Sequence, residues 1–329
     1  MENFNPNQVV MVTLEQLVPK NHQYRKLLQL LNFSYLCKSI KKLNNEESVG
    51  RTGYDIVSMF KCIFLQFLED LSDRQLQKHL EDSNAAKLFC GFNINERTPS
   101  FTLFTKIRYK IGTEKLSKIF IKLQKKLKAE GLLLENFTFV DSTAIIHKNN
   151  LWKERDKAIA EKIEKVNNVT LPKLTNDDQA RLGCKGKNKY WFGYKTHVSA
   201  DMQSGLINKI ALTPANKSDG KSLKHICPKK GAIYGDKGYC TKAALIEIKK
   251  RGCHDATIKK DNMKIKDKEL DKWHTKLRMP YERIFSKIRK RTRYIGIAKN
   301  QFTMFFEAII HNSKKLILDY PELKLYYDI

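Results

Sequence analysis

No apolar run in the chain approaches the roughly 18 residues of a membrane-spanning helix, and no signal-peptide pattern opens it, so a cytoplasmic protein with no membrane partner is expected. Disulfides are equally unexpected. The seven cysteines (Cys37, Cys62, Cys90, Cys184, Cys227, Cys240, Cys253) are odd in number, scattered and never in a CxxC pair, which argues against a disulfide framework and a zinc ribbon. His225 with Cys227 and Cys253 with His254 could meet in space, but they lack zinc-ligand spacing and zinc is left out. Glycine and proline are sparse, at 15 and 8 of 329 residues, no segment repeats, and 41% of residues are hydrophobic. A disordered or fibrous chain is thereby excluded, and the length allows one large domain or two ordinary ones.

Acidic residues are also short: 35 Asp and Glu face 62 Lys and Arg, a formal net charge of +27. That excess goes far beyond what solubility requires and implies a polyanionic partner. Ribosomal and chromatin proteins usually carry such charge in tails, whereas here the basic residues are interleaved with core positions. Nucleic acid is the expected partner.

From Leu27 to about Lys128 the pattern is helical. Ile56, Val57, Phe60, Ile63, Phe64, Phe67, Leu68 and Leu71 recur at three- and four-residue steps, and "LSDRQLQKHL" resumes the period behind an N-cap at Ser72. Pro99 and Ser100 start a helix that Gly112 closes, and Thr113 opens a long basic one to Ala129. The period then changes. "NFTFVDST" (136 to 143) is β-branched and aromatic and reads as a buried strand with Asp141 at its C-terminal end. A helix over 152 to 166 and a lysine-rich loop over 167 to 189 follow, then a hairpin of "KYWFGYKTHVSAD" and "GLINKIALTP". "GAIYGD" (231 to 236) is a short strand that again ends in an aspartate, "KAALIEIKKRG" a helix, and "DATI" (255 to 258) a fifth strand. Glu282 opens an amphipathic helix, and the last long helix runs near Gln301 to Leu318.

Two-metal cleavage of a phosphodiester needs carboxylates that hold two divalent ions about 4 Å apart. Magnesium prefers such hard oxygen ligands, with manganese able to substitute. Aspartates ending two adjacent strands and a glutamate from a neighbouring helix could converge in this way, although a strand-end aspartate by itself is more often a cap or turn former.

Several blocks resemble the DDE transposases of bacterial insertion sequences, in the group related to insertion sequences four and five. "LVPKNHQYRKL", "MFKCIFLQFLEDLSDRQLQKHLED" and "TPSFTLFTKIRYKIG" are similar to that family's helical, DNA-binding part. "TFVDSTAI", "KGKNKYWFGYKTHVSAD", "LTPANKSDGKSL", "IYGDKGYCTKAAL", "YERIFSKIRKRTRYIGIAKNQF" and "AIIHNSKKL" resemble its catalytic blocks, in the family's order. The resemblance implies an RNase H-like core with its triad on Asp141, Asp236 and Glu282, which the strand and helix positions read above accommodate. Related enzymes flank the glutamate with Tyr, Arg and Lys. Arg278 fits the arginine, but Thr275 and Arg289 stand where the tyrosine and lysine would, so Arg289 is carried over only as a phosphate contact.

Other residues divide between two readings. Lys195 and His197 lie on one face of a strand expected beside Asp141 and could reach a phosphate, with a structural or backbone-binding role favoured over catalysis. Lys237 is either a target-strand contact or an ion partner of Asp236. Lys287, Arg289, Lys290, Arg291 and Arg293 fall where a DNA backbone would pass. A solvated helical face accounts for Lys122, Lys125, Lys126 and Lys128, and the three tryptophans read as packing residues.

The expected architecture is α/β. Residues 1–132 form a helical N-terminal DNA-binding domain, and residues 133–329 an RNase H-like catalytic domain with a mixed five-stranded sheet and an insertion at about 150–188. The expected function is cleavage of transposon ends and their joining to target DNA, carried out by at least a homodimer on double-stranded DNA, with two Mg2+ ions and no small-molecule cofactor. A binding protein that has lost catalysis, or a nuclease that cuts without joining, are the alternatives.

Overall fold

The structure is a computed structural model that describes residues 11–40, 53–147, 168–170, 175–185, 189–263, 266–286 and 288–325. The helix expected over 152 to 166 lies outside the described residues, as does Lys287. Two compact units are present: Met1–Ile111 with Leu316–Ile329, and Gly112–Lys315.

In the first unit, α1 (Leu14–Leu17), α2 (Gln23–Leu30), α3 (Phe33–Leu36), α4 (Ile56–Leu68), α5 (Asp73–Asp82), α6 (Asn84–Cys90) and the first part of α7 (Phe101–Ala129) are all helical. Asp55 caps α4 by accepting from the Val57 and Ser58 amides, and nearly every α4 side chain is buried. Around it Phe33 packs edge-on against Phe64 and Phe89. Ser72 and Gln75 form a reciprocal capping box at the start of α5. Asp73, beside that cap, pairs with Arg108 of α7 at 2.5 Å. Gly112 interrupts α7 with φ 66° and ψ 167°, a conformation open to a residue without Cβ.

The second unit is built on a seven-stranded sheet, two strands more than the sequence pattern predicts. Its strands are β1 (Phe137–His147), β2 (Arg181–Lys185), β3 (Lys189–Asp201), β4 (Ile207–Pro214), β5 (Ala232–Gly235), β6 (His254–Asp255) and β7 (Arg291–Thr292). β3 runs antiparallel to β1 and β4, whereas β5 is parallel to β1 and to β6. The resulting order β4-β3-β1-β5-β6, with one antiparallel strand beside the central one, is an RNase H-like core. The two added strands extend it: β2 pairs with the first residues of β3, and β7 with the last residues of β1.

Several boundaries differ from expectation. β1 continues through Ala144–His147 because β3 pairs with it as far as Ile146, so Asp141 sits in mid-strand and not at the strand's end. The region read as a lysine-rich loop contains β2, whose approach is pinned by wholly buried Asp177, an acceptor for the Tyr194 hydroxyl and the Gln179, Ala180 and Gly296 amides. The fifth strand is His254–Asp255, not 255 to 258.

Helices cover both faces. α8 (Asp219–Ile226) and α9 (Lys242–Lys250) bury Leu223, Ile226, Ala244 and Ile248 against Val140 and Ile233. On the opposite face Phe139 meets Tyr281 and Phe285, and Tyr234 meets His274. Those partners belong to α10 (Lys268–Arg278) and the 3-10 turn Met279–Ser286. Glu282 therefore lies in a 3-10 turn behind a helix, not at the start of one. Pro280 accounts for the change, since it has no amide hydrogen and its ring clashes with the carbonyl four residues earlier. α11 (Ile297–Asp319) closes the chain, with the Asn312 amide bonded in both directions to the Ile207 backbone.

Candidate active site

The parallel register of β1 and β5 sets Val140 opposite Gly235, so the residues that follow, Asp141 and Asp236, stand side by side where β5 stops and β1 runs on. Each carboxylate is oriented by a nearby amide: Ser142 N–H donates to Asp141 Oδ1 at 2.7 Å, and Gly238 N–H to Asp236 Oδ1 at 3.0 Å. Strand alternation puts Asp141 on the same face as Phe139, the face covered by α10 and the 3-10 turn. That cover delivers Arg278 and Glu282.

Arg278 is 5% exposed, and its guanidinium lies 5.5 Å from the Phe139 ring centroid. Its Nη2 stands 3.1 Å from Asp141 Oδ2 and 3.9 Å from Glu282 Oε1. One cationic nitrogen thus links two members of the predicted triad, while the strand pairing links Asp141 to the third. The Glu282 side chain is 58% exposed and has room to turn.

Burial, and next the Asp236 charge, push the Asp141 carboxyl up to about 6; Arg278 and the Ser142 amide oppose them. Among the described residues no three His, Cys, Asp or Glu side chains meet tightly enough to hold an ion as they stand. The donors nevertheless fit divalent metal: they are hard carboxylate oxygens with negative charge left over, and Arg278 occupies the place where a cation would neutralise Asp141 and Glu282.

The other predicted residues are dispersed. Lys195, opposite Ala144, donates to Asp219 Oδ1 at 3.1 Å and the Lys217 carbonyl at 3.0 Å. His197 is wholly buried, with Nε2 2.9 Å from Thr213 Oγ1, and burial lowers its pKa to about 4 even with the Asp219 charge opposing. It offers DNA no surface, which corrects the expectation that it could touch a phosphate. Lys237 pairs with Asp261 at 2.8 Å instead of with its neighbour Asp236. Arg289 reaches Glu307 at 3.5 Å, and Thr275 donates to the Asp271 carbonyl at 2.7 Å. Lys290, Arg291 and Arg293 are exposed. Because β7 pairs with Ile146 and His147, this basic run lies five residues along β1 from Asp141, roughly 17 Å at the strand rise.

Sequence reading misses Asp219. An aspartate in the first turn of a helix ordinarily serves the helix dipole, yet this one accepts a hydrogen bond from Ser142 Oγ at 3.0 Å, next to Asp141. Its presence in the block "LTPANKSDGKSL" is the available signal.

Two carboxylates side by side on paired parallel strands of an RNase H-like sheet, with a glutamate carried over them, define the class of metal-dependent enzymes that cut and join nucleic-acid strands. Residues 134–314 match the family model described as "Transposase DDE domain", and residues 12–110 match "Transposase domain (DUF772)". The chain belongs to the DDE transposase family, whose members cleave DNA and transfer strands with divalent metal ions, and DNA is its partner. Two solved structures are faintly similar. One is a cryo-EM structure of the piggyBac transposase synaptic complex with hairpin DNA, at 8% identity, TM-score 0.41, and 92% and 76% coverage of this chain and that one. The other is the Mos1 transposase paired-end complex with left transposon end, at 11% identity, TM-score 0.19, and 80% and 97% coverage. Among the described residues no helix is long and apolar enough to cross a membrane.

Proposed function

We propose that Asp141, Asp236 and Glu282 ligate two Mg2+ ions, with Mn2+ able to substitute, and that the site hydrolyses a phosphodiester at each transposon end and then joins the freed 3′ hydroxyl to target DNA. The observation that carries this reading is the adjacency of Asp141 and Asp236 on paired parallel strands, with Glu282 held over them through Arg278. When bound, the ions would activate the attacking oxygen and stabilise the leaving one. The chain's own part is to hold these carboxylates. Arg278 balances their charge while the site is empty of cations and turns its guanidinium to the scissile phosphate when metal replaces it. Glu282, the most exposed of the three, accepts protons as well as metal.

Lys290, Arg291 and Arg293, with Arg289 and Lys237, bind the phosphate backbone. The run at β7 is separated from Asp141 by about five base steps of duplex at 3.4 Å each. The helical first unit recognises transposon ends, and because two ends must be cut together, at least a homodimer assembles on DNA in the cytoplasm.

The test is cleavage and strand transfer on a labelled duplex carrying the element's own ends, in Mg2+, with intact protein and Asp236→Asn. The mutant is expected to bind the ends and leave them uncut. Intact protein that binds the ends but never cuts, in Mg2+ or Mn2+, would refute the assignment and favour a binding protein; cutting without joined products would favour a nuclease.

A further inference from the structure

The assignment of Asp141, Asp236 and Glu282 leaves Asp219, a carboxylate at the same site, without a role. It opens α8, and its side chain is 23% exposed. Oδ1 accepts hydrogen bonds from Ser142 Oγ at 3.0 Å and Lys195 Nζ at 3.1 Å. Oδ2 stands against the turn that follows Asp236: a Cβ added at Gly238 would lie 3.1 Å from it and 3.0 Å from Asp236 Oδ1. A Cβ here would be tighter than ordinary packing against both carboxylates, and glycine leaves them that room. One side chain therefore bonds Ser142 and stands beside the turn at Gly238, the two residues whose amides orient the Asp141 and Asp236 carboxylates.

The direction of approach matters too. Alternation along β1 points Ser142 away from the face that carries Arg278 and Glu282, toward the face covered by α8. Asp219 grips Ser142 from behind the sheet. Lys195 supplies the charge that lets a further carboxylate sit beside the other two without adding its full repulsion.

We propose that Asp219, held by Lys195, is a positioning residue that sets the separation of Asp141 and Asp236 by fixing the two amides that orient them. The inference rests on the assignment of Asp141 and Asp236 as metal ligands. It differs from a ligand role for Asp219, because the side chain acts through Ser142 and Gly238 and contributes no oxygen to the ion.

Mn2+ binding to the metal-stripped full chain without DNA, followed by electron paramagnetic resonance, tests it in Asp219→Ala, Ser142→Ala, the double variant and Asp141→Asn. Asp219→Ala is expected to weaken Mn2+ binding roughly 10- to 100-fold, the usual effect of removing a group one step behind the ligands, with the number of bound ions unchanged. Ser142→Ala shifts affinity the same way by less, and the double variant is no weaker than Asp219→Ala, because both cut one link. Unchanged affinity in Asp219→Ala, loss of a bound ion, or additive effects would each overturn the proposal. Should Asp219→Ala fail to fold, Ser142→Ala, which loses one hydroxyl and keeps its amide, decides alone, and unchanged affinity there overturns it. Asp141→Asn separates the two layers. If that variant binds Mn2+ like the intact chain, the ligand assignment falls and takes the positioning role with it. If it loses Mn2+ while Asp219→Ala and Ser142→Ala do not, the positioning role alone is wrong.

Discussion

Replacing Asp141 by asparagine should make the metal-free protein more stable, although it disables the site. Burial and the neighbouring Asp236 raise the Asp141 carboxyl from 3.8 to about 6 against the opposing pull of Arg278. In the folded state the group therefore holds its proton over a range where the unfolded chain has released it. The sign follows from proton linkage: between about pH 4 and 6 the folded state binds more protons, so stability falls as pH rises. The contribution of Asp141 is fully present below the ordinary carboxylate value and lost as pH passes about 6. Above that the cost is constant at about 3 kcal/mol, since each pH unit of displacement is worth 1.36 kcal/mol. Asparagine keeps the shape and an acceptor for Arg278 without the charge.

Urea unfolding in a metal chelator measures this directly. Near pH 8, Asp141→Asn should exceed the intact chain by up to about 3 kcal/mol, and the gap should close toward pH 4. Adding Mg2+ should stabilise only the intact chain, by about 2.7 kcal/mol at a hundred times the dissociation constant, and so remove most of the difference. The reasoning is refuted if Asp141→Asn is the less stable protein at pH 8, because Arg278 would then stabilise the carboxylate more than its surroundings oppose it. A gap that does not change between pH 4.5 and 8 would refute it equally.

Two further outcomes follow from the geometry. Gly238→Ala should leave the far-ultraviolet circular dichroism unchanged and weaken Mn2+ binding, since its Cβ would press on Asp236 Oδ1 and Asp219 Oδ2 at 3.0 and 3.1 Å; unaltered binding would show that the turn yields without moving Asp236. Neutralising Arg291 and Arg293, both exposed on or beside β7, should lower the slope of log affinity against log salt by about 0.9 for each phosphate that is no longer neutralised. A slope that stays constant in a binding titration from low to moderate salt would remove this run from the DNA path.

The helical half of the chain was legible because its signals are local. The α4 stripe, the Ser72 cap and the glycine at 112 each act within a few residues, and the structure has Ile56–Leu68, a capping box and a kink at those places. Aspartates 141 and 236 were legible as a pair for the same reason, each following a short apolar run. Their adjacency was not, because it depends on register: a one-residue slip between β1 and β5 would point one carboxylate through the opposite face.

Pairing between distant segments explains the remaining misses. β1 looks finished at Thr143 when its own residues are read, and it extends to His147 because β3 and β7 supply partners for the extra residues. Arg278 carried the spacing of a phosphate-binding arginine, and spacing alone cannot tell a phosphate from the carboxylate at 3.1 Å that occupies the same guanidinium. Asp219 is the sharper case. Its helix-start position has a sufficient local explanation, so nothing in the linear pattern asks for another, and only the folded sheet shows that Ser142, 77 residues away, completes the contact. A local motif is therefore readable where its explanation ends locally, and residues that act through a second residue become visible only with the register that joins them.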